Sequence, residues 1–100
     1  MTEIQKERYR KIRGNILRVL VKWHPAPLNS KEIHIFLDDL GYPITKEELE
    51  SHLAYLEEAG YIRMEKRKTE GFEVWKVGIT KKGIDIIDKF ASDIGIDVRF

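Results

Sequence analysis

The 100-residue sequence has no cysteine, so disulfides and thiolate-bound metals are excluded. It has no apolar run approaching ~18 residues, so nothing in it reads as a membrane span. The first fifteen residues, MTEIQKERYRKIRGN, contain no apolar core of a secretory signal. A cytoplasmic protein is therefore expected. Catalytic signatures are missing as well: there is no G-x-S-x-G, no phosphate loop and no H-E-x-x-H. His24, His34 and His52 fall on different segments and lack metal-site spacing. Asp38-Asp39 is a helix-end pair with no acid/base partner in view. Trp23 and Trp75 could line a ligand pocket, but they read better as aromatic core. Neither an enzyme nor a bound cofactor or metal is expected.

What is present is a chain that is 42% hydrophobic and 35% charged. That suits one modest core beneath a highly charged surface, not a disordered segment. A single domain spanning 1–100 is expected. A domain of this size buries only ~60–65% of its unfolded surface, so self-association would help it. The net charge of +1 conceals an uneven distribution. Residues 1–24 carry seven bases and two acids, residues 60–79 five bases and three acids, and residues 45–59 one base and five acids. Such asymmetry bears on partners more than on fold.

Helical periodicity runs from about residue 3 to 23, with Tyr9, Ile12, Ile16, Val19, Leu20 and Trp23 on one face. His24-Pro25-Ala26-Pro27 ends it. Asn29 with Glu32 fits a capping box for a helix at about 30–40, which carries Ile33, Phe36, Leu37 and Leu40 and stops at Gly41. The stretch ITKEELESHLAYLEEAGYI (44–62) specifies a third helix at about 45–59. Thr45 caps it, with Glu48 expected to complete a box. Ile44 and Leu49 make a hydrophobic staple, Leu49, Leu53 and Leu56 the buried stripe, and Gly60 the stop. Residues 61–68 and 72–79 alternate as two strands about a turn at Thr69-Glu70-Gly71. Thr80 opens a fourth helix to about 92, with Ile84, Ile87, Phe90, Ala91 and Ile94 on its apolar face. The tail GIDVRF stays unassigned.

The order helix, helix, turn, helix, hairpin, helix resembles a winged helix-turn-helix domain, mainly α with a β-hairpin wing. The stretch from Leu49 to Ile87 is also similar to the part shared by small prokaryotic regulators of the MarR and PadR type, in Leu53, Leu56, Glu57, Gly60, Tyr61, Ile62, Thr80 and Gly83. The run HLAYLEEAGYI … ITKKGIDII further resembles small winged-helix proteins of Mu-like prophages. The resemblance spans roughly residues 12–94. It implies binding to double-stranded DNA, with helix 45–59 in the major groove and the hairpin at backbone or minor groove.

The residues qualify that implication. Opposite its leucine stripe, helix 45–59 presents Glu47, Ser51, Ala54 and Glu58, without Arg, Asn or Gln, the commonest bidentate base readers. Its plausible donors are Lys46, Thr45, Ser51, His52 and Tyr55. The wing cluster Arg63, Lys66, Arg67 and Lys68, with Lys76 on the facing strand, is better suited to phosphate. The first helix adds Lys6, Arg8, Arg10, Lys11, Arg13, Arg18 and Lys22. A transcriptional regulator holding DNA by wing and first helix more than by its acidic third helix is the expected function. A winged helix whose acidic third helix binds a protein partner is the alternative. Leu17 and Val21, set opposite the core stripe, with Ile86, Phe90 and Ile94, suggest a homodimer through the first and last helices, as the resemblance also implies.

Overall fold

The computed structural model describes residues 1–99, save the side chains of Thr69 and Phe72. Helix α1 (Glu3–Trp23) is followed by the short strand β1 (Leu28–Asn29), then α2 (Ser30–Asp39) and α3 (Lys46–Glu58). Strands β2 (Ile62–Thr69) and β3 (Phe72–Ile79) form the hairpin, and α4 (Lys81–Ile87) closes the order. The sheet is antiparallel in the order β1-β3-β2, with Leu28 opposite Val77. This is the winged helix-turn-helix architecture. None of the helices is long and apolar enough to cross a membrane, among the described residues.

Local chemistry accounts for the element ends. Asn29 and Glu32 form the reciprocal box at α2, and Thr2 and Gln5 form another at α1. At α3 the box is only half made: Thr45 accepts from the Glu48 N–H, while the Glu48 carboxylate meets the Thr45 hydroxyl. Both α2 and α3 end in full Schellman motifs. Gly41 and Gly60 adopt φ of +90° and +87°, and the N–H groups of Tyr42 and Tyr61 reach back to Leu37 and Leu56. At the hairpin, Glu70 and Gly71 both have positive φ, the geometry of a two-residue type I′ turn.

α1 is the central helix, and the core wraps it on more than one side. Ile12, Ile16, Leu17, Val19 and Leu20 are all buried, together with Ile33, Leu37, Leu53, Leu56, Val77 and Ile86. Three expectations are corrected here. Trp23 is half exposed at the helix end, beside Phe36, because α1 stops as its stripe leaves the core. Leu40, placed on the apolar face of the second helix, is exposed at its end. The fourth helix ends at Ile87 and not near 92: Lys89 takes φ of +63° and closes a Schellman motif through Ile86 and Asp85 without a glycine. Phe90 and Ile94 consequently leave any helical face and are exposed.

The tail left unassigned in sequence is packed. Ile96 and Asp97 are buried, and the Asp97 N–H donates to the Arg10 carbonyl at 3.0 Å. Gly14 permits this contact. A Cβ there would lie 1.8 Å from the Asp97 carbonyl oxygen.

Candidate functional site

The segments around the start of α3 are held in place by polar contacts. Ser30, at the start of α2, accepts the Trp75 N–H at 3.3 Å and so ties β3 to α2. The His34 Nε2 bonds the Ile44 carbonyl and pins the turn before α3. Between the N-terminal turns of α2 and α3 and the inner face of β3 lies a cleft of about 290 Å³. Leu49 and the half-buried Trp75 form its apolar part, and Lys31, Lys46, Glu50 and Glu73 supply its charge.

Strand pleating divides the basic wing into two faces. Ile79 and Val77 point into the core, so Trp75 and Glu73 continue that face outward. Trp75 pairs with Lys66, whose Nζ lies 5.0 Å from the indole centroid. Lys66 and Lys68 thus stand on the cleft side. Arg63, Arg67 and Lys76 stand on the other face, near Pro27. There Arg67 pairs with Glu65 at 3.3 Å. Lys46, Lys66 and Lys68 make no ion pair among the described residues.

The third helix presents the exposed face read from its pattern: Lys46, Glu47, Ser51, Ala54, Glu57 and Glu58 are exposed. His52 is not on it, and its reading as a DNA donor is corrected. Only 3% exposed, it accepts from Arg13 Nε at 3.2 Å through Nδ1 and meets the Tyr9 ring edge-on. Burial first, and the Arg13 charge second, hold its pKa down at about 4. Its place in the buried stripe was visible in the sequence, since it lies three residues after Leu49 and four before Leu56. Tyr55 is half-buried with its ring 3.6 Å below the Arg13 guanidinium, so it too faces α1 and the tail.

The first helix offers fewer bases than its count implies. Arg8 donates to the Pro43 carbonyl, Arg10 pairs with Glu7, and Arg13 also donates to the Gly95 carbonyl. Lys11 and Lys22 remain exposed. The dimer surface also needs correction. Leu17 is 0% exposed and Ile86 2%, each enclosed within a single copy, so neither can line a surface between two. Val21 is half-buried, whereas Phe90 and Ile94 are 81% and 94% exposed.

Among solved structures, the chain is similar to a candidate transcriptional regulator from Thermoplasma acidophilum, with 21% identity and a TM-score of 0.66, over 80% of this chain and 74% of that one. No curated protein matches it. Residues 14–87 match the winged-helix domain of ribonuclease R, a span from mid-α1 to the end of α4 that takes in the cleft and the wing. The chain belongs to the ribonuclease R winged-helix domain family.

Proposed function

We propose that this protein is a non-catalytic DNA-binding regulator, of the kind that MarR- and PadR-type proteins represent, and that it grips duplex backbone with the cleft face of its wing. The observation that carries this reading is the placement of Lys66 and Lys68 on the same side as Lys46, with no acid paired to any of them among the described residues. Ammonium groups without a paired carboxylate can exchange counterions for phosphates. The first helix contributes less, because three of its arginines are engaged within the molecule. The acidic third helix contributes through Lys46 and Ser51 at most. The name of the structural relative supports the same reading.

Affinity for mixed-sequence duplex, measured against salt, tests this proposal. Binding is expected to weaken steeply as salt rises, and Lys66→Ala with Lys68→Ala to reduce the log–log slope by about two. Absence of binding at low salt and micromolar protein would overturn it. A second reading has one observation in its favour: Glu47, Glu57 and Glu58 are exposed and form no ion pair among the described residues. On that reading the third helix docks a basic protein segment, and charge reversal at Glu47 and Glu58 abolishes the association. Self-association, if present, is assigned to Phe90 and Ile94, together with Val21.

A further inference from the structure

The duplex-binding proposal draws on Lys46 at the rim of the cleft but leaves Trp75 and Glu50 unused, and their chemistry suits a different form of nucleic acid. The indole of Trp75 is fixed on three counts. Its main-chain N–H donates to Ser30, its Nε1 donates to a Glu73 carboxylate oxygen at 3.1 Å, and Lys66 covers it from the wing. A rigid aromatic plane with Leu49 beside it makes a stacking platform. Glu50, a half-buried residue of the cleft lining, has no hydrogen-bond or ion-pair partner among the described residues. Its carboxylate is thus available as an acceptor at the cleft. Lys31 and Lys46 stand at the rim.

A planar ring to stack, N–H groups to meet a carboxylate, and an anion to meet ammonium groups occur together in a nucleotide. Guanine answers best, since its ring N–H and exocyclic amine donate along one edge. A cleft of about 290 Å³ lies at the small end of ligand sites, the size for one such unit. Paired bases in a duplex cannot enter it, because their faces are stacked and their pairing edges occupied. We infer that the cleft binds a single unstacked guanine nucleotide, its base on Trp75, its edge against Glu50 and its phosphate toward Lys46. This inference does not rest on duplex binding by the wing.

The test uses the full chain with Trp23→Phe, which leaves Trp75 as the sole tryptophan reporter. Fluorescence is titrated with GMP, with UMP, with an oligothymidine carrying one central guanine, and with plain oligothymidine. Saturable quenching is expected, with the guanine-bearing probe binding about tenfold tighter than its pyrimidine counterpart. Lys46→Ala is expected to weaken GMP several-fold while leaving guanosine unchanged, and Glu50→Gln to remove the guanine preference without altering duplex affinity. Lys46 is exposed and Glu50 half-buried, and neither belongs to the buried core, so the fold is expected to be retained, which a thermal melt verifies. Saturation by GMP identifies a free nucleotide as a sufficient ligand, and saturation by the oligonucleotide alone identifies a strand. Either supports the inference. Quenching by neither probe, or quenching without base preference and indifferent to Glu50→Gln, overturns it.

Discussion

The two sides of α3 differ in how their polar groups are spent. On the side facing α1 and the tail, every polar group named here has an internal partner. Arg13 alone reaches His52, the Gly95 carbonyl and the Tyr55 ring. The Tyr61 hydroxyl donates to Asp93, and burial above all, with that bond, pushes its pKa up to about 12. On the side facing the wing, Lys46, Glu50 and Lys68 have no such partners among the described residues. The first side therefore carries stability, and the second is the side proposed for recognition. The difference matters because satisfied groups cost free energy to disturb, whereas exposed charges contribute little to folding.

Changes on the packed side should break the fold's balance and leave binding intact. Gly14→Val is the most severe, because its side chain would occupy the space of the Asp97 carbonyl. A loss of about 3 kcal/mol is expected in urea unfolding. Arg13→Met should cost about 2 kcal/mol, by stranding His52 and the tail carbonyl. The pH dependence has a fixed sign. His52 in the unfolded chain titrates near 6.5, but in the fold near 4, so the unfolded state binds more protons between these values. Stability should fall as pH drops from 6.5 toward 4. In His52→Phe that component of the slope should vanish, which paired denaturation curves at pH 7 and 5 would reveal.

Much of the fold was legible because its elements are signalled locally. Asn29, Thr45, Gly41 and Gly60 mark helix ends by chemistry confined to a few residues. The packed side was less legible, because its contacts join residues far apart in the chain. Lys89 stops α4 at positive φ, a role for which glycine is the usual signal. β1 pairs only two residues, too few for alternation to register. The docking of the tail had one clue, a glycine inside a helix: Gly14 weakens α1 locally, and close packing is a reason to keep it. The placing of Leu17 on a dimer surface failed because a helix surrounded by partners has no outer face at that position. The sequence placed the basic residues of the wing on the hairpin as one cluster, but strand parity relative to Val77 divides them between two faces.

That division gives the sharpest comparison with the smallest effect on stability. Lys66→Ala with Lys68→Ala and Arg63→Ala with Lys76→Ala each remove two positive charges from one hairpin, and neither pair is part of the core. The most direct measurement is duplex DNA affinity of these two double variants at one low salt concentration. If the cleft face holds the backbone, the first pair should lose roughly tenfold or more and the second should stay within about twofold to threefold. Equal losses from both pairs would contradict the account, because attraction would then depend on total charge and not on which face of the wing carries it.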